Sequence, residues 1–232
     1  MKILHFSDLH ANNEQCKSLL EICAAEKPDL LALSGDITYW QDSEKDSALL
    51  EKAKEWVETV NILIPVAFCS GNHEAWTQGF SAANWNVFCK DGESKTFKKG
   101  QEKCIITSFP WHDNELVPTQ ALKAERDQKR ISPDATRIWL HHEPAWPSGC
   151  GWNGYGYQGN RSIQLLVREY KPHFLLSGHI HCAPYTGGKA IERLNDTICL
   201  NPGSSSTRND QYYTKAPKYC KIDTVEKTAE WC

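Results

Sequence analysis

The sequence predicts an α/β protein organised on parallel strands. Three observations carry that reading. In the first third, short apolar runs alternate with segments of helical period, the pattern of strand–helix–strand crossovers. The runs are apolar almost throughout, as strands buried on both faces are. Asp, Asn and His recur just after them, at the strand ends where an open α/β sheet builds its crevice.

Taken in order, Lys2-Ile3-Leu4-His5-Phe6-Ser7 reads as the first strand. Residues 13–26 place Cys16, Leu19, Leu20, Cys23 and Ala24 on one helical face, and Pro28 ends that helix. Residues 29–34 form a second strand, 44–63 a helix with Leu49, Leu50, Ala53, Trp56, Val57 and Val60 at spacings of three and four, and 65–70 a third strand. Thr96-Phe97 and 104–109 read as short antiparallel strands around a charged turn at 98–102, followed by a polar helix at 118–129. Residues 136–140 form a strand that delivers His141 and His142, a helix at 161–170 follows, and strand 173–177 leads into Gly178-His179-Ile180-His181. Further strands are expected at 197–200, 219–223 and 229–231.

Residues 144–160 stand apart, with five glycines, two tryptophans and two tyrosines. Such a segment is a loop. It starts directly after His142, so it is expected to overhang whatever that histidine serves. Its aromatics either contact a substrate or pack the loop onto the domain.

The bulk properties narrow the function. A length of 232 residues suits one domain, 1–232. A formal charge of -3 with scattered basic residues argues against a nucleic-acid footprint or an acidic membrane partner. There is no apolar stretch of about 18 residues to span a bilayer. Asp8 and His10 arrive too early for a signal peptide, so a cytoplasmic protein is expected. The ten cysteines include no C-x-x-C pair and read as buried small hydrophobes rather than a disulfide framework.

Five blocks carry the chemistry: Asp8-Leu9-His10, Gly35-Asp36, Gly71-Asn72-His73-Glu74, His142, and Gly178-His179-Ile180-His181. Singly, each is a weak or moderate signal. Together, in order and each after a strand, they predict one shared site. Imidazole and carboxylate without thiolate suit two transition metal ions, Mn, Fe, Zn or Ni among them. Asp36 is the expected bridge; Asp8, His10 and His181 complete one metal, and Asn72, His142 and His179 the other. The Asn72 amide oxygen ligates without adding charge. Two metals about 3.5–4 Å apart activate a bridging water for in-line displacement at phosphorus. His73 is expected to assist as the catalytic group, through a hydrogen bond to a phosphoryl oxygen or a proton to the leaving alkoxide. Asn72 and His73 are thus also the expected substrate contacts.

The blocks resemble the D-x-H, G-D, G-N-H-[DE], H, G-H-x-H pattern of the calcineurin-like metallophosphoesterases, over 8–181. The resemblance implies a four-layer α/β/β/α sandwich with mixed sheets and a binuclear metal centre that hydrolyses phosphate esters. By that pattern the fourth block is a histidine two residues before proline, which selects His142, with His141 as the fallback. Asn201-Pro202-Gly203-Ser204 resembles a family turn that shapes the site wall. Gly35-Asp36-Ile37-Thr38-Tyr39-Trp40 lacks the second Asp and the Arg-Gly of the family's protein phosphatases, which disfavours that role. Tyr39 sits at the offset of the tyrosine ligand of purple acid phosphatases, either as a ligand or as packing beside the metal. The expected substrate is a small-molecule or nucleotide phosphomonoester or phosphodiester, with no obligate protein partner. Two alternatives stand beside it: a catalytically silent scaffold of this fold, which would have lost ligands, and a nuclease, which would add a basic capping domain.

Overall fold

The computed structural model describes residues 1–39, 45–111, 119–204 and 214–232. The first part alternates as expected: β1 (Lys2–Phe6), α1 (Asn13–Glu26), β2 (Leu30–Ser34), α2 (Lys45–Leu63) and β3 (Val66–Cys69). The expected start of α2 at residue 44 lies outside the described residues. Asn12 starts α1 because its side-chain oxygen accepts the N–H groups of Glu14 and Gln15, which have no partner inside the first turn. Lys27 ends it in the left-handed region (φ 50°) just before Pro28.

A short helix α3 (Asn72–Trp76) follows β3, where no helix was expected. Five residues are too few to show a period. The antiparallel hairpin is β4 (Ser94–Lys99) with β5 (Glu102–Ser108), longer than the pair read from the sequence. The remainder is α4 (Thr119–Ile131), β6 (Thr136–Leu140), α5 (Arg161–Tyr170), β7 (Phe174–Leu176), β8 (Ile191–Leu194), β9 (Thr197–Leu200), β10 (Cys220–Asp223) and β11 (Thr228–Trp231). β8 was not foreseen. Its Ile-Glu-Arg-Leu sequence is half polar because it is an edge strand, paired only with β9. No described helix is long and apolar enough to cross a membrane.

The strands form two mixed sheets, ordered β11-β10-β1-β2-β3 and β4-β5-β6-β7-β9-β8. β1, β2 and β3 are parallel, as are β5, β6, β7 and β9; β10 runs antiparallel between β1 and β11, and β4 and β8 are antiparallel edge strands. Ile3, Leu30, Ala32 and Ala67 of the first sheet share a core with Ile106, Ile138, Leu140 and Leu176 of the second. On its outer face the first sheet packs Leu4, Leu31 and Phe68 against Leu19, Leu50 and Val57 of α1 and α2. The second packs Trp139 and Leu175 against Ala121, Leu122, Ile163 and Val167 of α4 and α5. These contacts make the four-layer α/β/β/α sandwich. The described cysteines are free thiols, seven buried and three half-buried, and four of them line the inter-sheet core.

The helix layer on the second sheet is fixed by a buried polar link. Glu125 of α4 accepts the Trp139 indole N–H at 2.8 Å and an Arg137 guanidinium N–H at 3.2 Å, both from β6. Arg137 also donates to the carbonyls of Tyr170 and Lys171 at the end of α5, so one side chain ties both helices to the sheet. Trp139 is fully buried. Trp139→Ala removes a fully buried indole and one Glu125 donor. It should lower unfolding stability by about 3–5 kcal/mol in urea titrations. A loss below about 1 kcal/mol would show that α4 and α5 do not depend on this anchor.

Candidate metal centre

The parallel strands of both sheets deliver their C-terminal ends to one edge. Asp8 lies two residues beyond β1, Asp36 two beyond β2, and Asn72 three beyond β3. From the second sheet, His142 lies two beyond β6 and His179 three beyond β7. The loops there carry unusual backbone. Asp8, His10, Asp36 and His179 all have positive φ, between 46° and 65°. Each such non-glycine residue costs of order 1 kcal/mol or more. The strain is held by a second ladder beyond the strands: the N–H groups of Asp8, His10 and Ala11 donate to the carbonyls of Gly35, Asp36 and Ile37 at 3.0, 2.9 and 2.7 Å.

Close approach dictates two glycines. A Cβ on Gly71 would stand 2.1 Å from the Asp36 carboxylate. Gly35 has φ +89°, and a Cβ there would stand 2.4 Å from the His142 ring.

The donor atoms form two groups that share Asp36. One contains Asp8, His10, Asp36 and His181, the other Asp36, His142 and His179; within each, one donor atom per residue lies within 4.8 Å of the others. In the first, His10 Nε2 and His181 Nε2 are 3.1 Å apart, and His181 Nε2 is 3.2 Å from Asp8 Oδ1. In the second, His142 Nε2 is 3.2 Å from Asp36 Oδ2, and the His142 and His179 rings are 5.1 Å apart. His142 also reaches toward the first group, 3.8 Å from Asp8 Oδ1. Asn72, 5% exposed, stands at the start of α3.

The polar atoms left over suit cations. His142 places Nδ1 2.6 Å from the Ser34 carbonyl. Since that carbonyl only accepts, Nδ1 carries a proton, and in the neutral ring Nε2 is the nitrogen left to ligate. His142 Nε2 and Asn72 Oδ1 are both buried with no hydrogen-bond partner among the described residues. With the His142 ring neutral, these two acceptors beside two buried carboxylates suit a bound cation.

Charge makes the same point. Burial pushes the Asp8 carboxyl up, yet the His181, His142 and His10 imidazoles together hold it well below the usual carboxylate range. Burial likewise opposes Asp36, and His142 holds its carboxyl low. Burial pushes the His142 imidazole down, but Asp36 and Asp8 override it and carry the ring up to about 10. His10 and His179 go the other way: burial takes each down to about 4. A cation bound there would compete with the imidazole protons for the same two carboxylates.

Glu74 supports the arrangement and was not singled out in the sequence. Its buried carboxylate accepts the backbone N–H groups of Asp36 and Gly71 on Oε2, at 2.9 and 2.8 Å, and of Thr38 on Oε1 at 2.8 Å. One side chain thereby clamps the loop after β2 to the turn after β3. Burial and the Asp36 charge push its carboxyl up to about 7, against the pull of those N–H donors. The signal was present in Gly71-Asn72-His73-Glu74, where a carboxylate at the third helical position reaches back to the helix start. On the far side, His179 N–H donates to Asp8, and Ser204 Oγ donates to the Asp8 carbonyl. Asn201 donates to the carbonyls of Gly178 and Ile180, so the 201–204 turn braces two of the loops at once.

His73 stands at the mouth, its side chain 20% exposed. Its Nε2 is 3.7 Å from Asp36 Oδ2, and its backbone N–H donates to Asp36 Oδ1. Tyr39 packs its ring against those of His10 and His73. His141 is buried, places Nδ1 2.8 Å from the Glu143 carbonyl, and belongs to neither donor group. The 144–160 loop packs against the 183–192 segment, where Trp152 Nε1 donates to the Thr186 carbonyl and the Gly149 N–H to Glu192. Beside the second donor group stands Trp111, whose ring lies 5.7 Å from His142 and 5.3 Å from His179. It follows β5 as the ligand candidates follow their strands, a placement that could have marked it in the sequence.

Glu74→Gln replaces one acceptor oxygen with a donor facing backbone N–H groups. The change should weaken manganese or zinc affinity about 10–100-fold by calorimetry while the chain stays folded. Unchanged affinity would show that the clamp does not hold the donors.

A family model described as calcineurin-like phosphoesterase matches residues 1–183. No protein of curated description matches. Among solved structures, TT1561 of Thermus thermophilus superposes with a TM-score of 0.69 at 15% identity, covering 100% of this chain and 97% of its own. A novel archaeal phosphodiesterase gives 0.51 at 15% identity, with 100% and 99% covered. GAP50, the anchor in the inner membrane complex of Plasmodium, gives 0.55 at 12% identity, with 95% and 80% covered. At these identities the neighbours speak to the fold alone. The family model covers most of the chain and includes all five blocks, and on that ground the protein belongs to the calcineurin-like phosphoesterases.

Proposed function

We propose that the protein hydrolyses phosphate esters with two bound metal ions. The observation that carries this reading is the sharing of Asp36 between two donor groups, each with its own imidazoles. Asp8, His10 and His181 would hold one ion, and Asn72, His142 and His179 the other, with Asp36 between them. Manganese, iron, zinc and nickel all suit such oxygen and nitrogen donors. Bound there, the two ions would activate water and offset the charge that builds on the phosphoryl oxygens. Being neutral, the Asn72 amide leaves more of that positive charge for the ester.

His73 supplies what the ligands do not. In the overall reaction a water oxygen bonds to phosphorus, the ester P–O bond breaks, and the departing oxygen takes a proton. Burial holds the His73 imidazole below its usual range, against the pull of Asp36 and Asp8. The ring is therefore neutral at pH 7 and acts there as an uncharged N–H donor. From the mouth it would hydrogen-bond a phosphoryl oxygen and lie close to the leaving oxygen. Asn72 and His73 are thus the proposed contacts to the phosphoryl group.

The substrate class is a small phosphomonoester or phosphodiester; the likeness to an archaeal phosphodiesterase is compatible with either. The test is to strip the protein with chelator, reload it with manganese, iron, zinc or nickel, and assay para-nitrophenyl phosphate, its bis-ester and cyclic nucleotides. Activity lost with chelator and restored by metal is expected. No hydrolysis with any metal would favour a binding scaffold. His73→Ala should keep full metal content by elemental analysis and lower turnover about 10²–10⁴-fold. Loss of metal from that variant would make His73 a ligand instead.

A further inference from the structure

Two indoles stand beside the donor cluster and neither belongs to it. Trp111 packs against the rings of His142 and His179. Trp76 meets Trp111 with centroids 6.3 Å apart and planes at 87°. Trp76 lies three residues after His73 on α3, so it shares that residue's side of the helix. It is 46% exposed.

The position of Trp111 is built in. Phe109 N–H donates to the Leu140 carbonyl, which ties the exit of β5 to β6. Trp111 N–H donates to Ser70 Oγ at 3.0 Å, and Ser70 N–H to Asp91 at 2.9 Å. The backbone that carries Trp111 is therefore pinned to the ends of three strands that frame the site. Polar contacts there come from elsewhere: the described ion-pair partners of Asp8 and Asp36 are all imidazoles, with no Lys or Arg among them. Among the described residues, this side of the site presents aromatic surface.

We propose that Trp76 and Trp111 form an aromatic corner that stacks a planar ring carried by the phosphate ester. The proposal rests on the phosphoesterase reading and narrows it to esters of aryl or nucleobase-bearing groups. Two perpendicular indoles offer an incoming ring one face and one edge, the two arrangements aromatic pairs prefer. Stacking of this kind tolerates different rings, because each presents a π-face. A core role accounts poorly for Trp76, whose indole is nearly half in water at the mouth of a polar site.

The test is calorimetric, on manganese-loaded protein with phosphonates that cannot be hydrolysed. One pair is phenylphosphonate and cyclohexylphosphonate, matched in size and different in planarity. The other is the carbon-linked phosphonate analogues of adenosine 5′-monophosphate and of ribose 5-phosphate. The planar member should bind about tenfold tighter or more. Trp111→Ala and Trp76→Ala should each shrink that ratio severalfold, and Trp111→Phe should keep most of it. If Trp111→Ala does not fold, the surface variant Trp76→Ala gives the same readout. Preference in the nucleoside pair alone assigns a nucleobase; preference for phenylphosphonate assigns aryl rings at large. Equal affinities within both pairs, or ratios unmoved by both alanine variants, would overturn the aromatic corner while leaving the phosphoesterase reading in place. Binding of none of the four would overturn both.

Discussion

Two buried carboxylates facing one another across a polar cluster are the constraint on which this molecule turns. Asp8 and Asp36 are almost wholly excluded from water and stand among imidazoles rather than among lysines or arginines. Buried charge of one sign is costly unless something of the opposite sign answers it. The protein answers in part with His142 and His181, whose rings are drawn toward the charged form. It leaves His142 Nε2 and Asn72 Oδ1 without partners among the described residues. Those two atoms, set against two carboxylates, are why the site reads as a cation holder rather than as an ion-paired core.

The fold exists to hold that balance in place. Two sheets present parallel strand ends on a common edge, so residues as far apart in the chain as His10 and His181 meet within a few ångströms. The backbone pays at four of the candidate ligands with left-handed φ values, and the surroundings hold them there. Glu74 clamps two loops through three N–H groups, and Asn201 and Ser204 brace the loops on the other side. None of these three touches the proposed ions, yet each fixes a segment that does.

Much of this was legible in the chain. The apolar runs located the parallel strands, and helical spacing located α1 and α5 to the residue. The five blocks found each donor in the two groups, because an Asp, Asn or His just after an apolar strand leaves a local trace. What was missed has a physical reason in each case. β8 is an edge strand whose half-polar sequence carries no burial pattern. α3 is too short to show a period. Glu74 acts on backbone N–H groups of a distant loop, and Trp111 acts by packing, so neither follows from residue type alone. The glycine-rich loop at 144–160 was expected over the site because of where it begins. Its contacts instead run to the 183–192 segment, since Gly151 and Gly159 let its backbone fold tightly on itself.

Anomalous diffraction from crystals soaked in manganese or zinc tests the central claim most directly. Two peaks are expected on either side of the Asp36 carboxylate, one within bonding distance of Asp8, His10 and His181, the other of Asn72, His142 and His179. A single peak, or a pair of peaks that Asp36 does not join, would contradict the account.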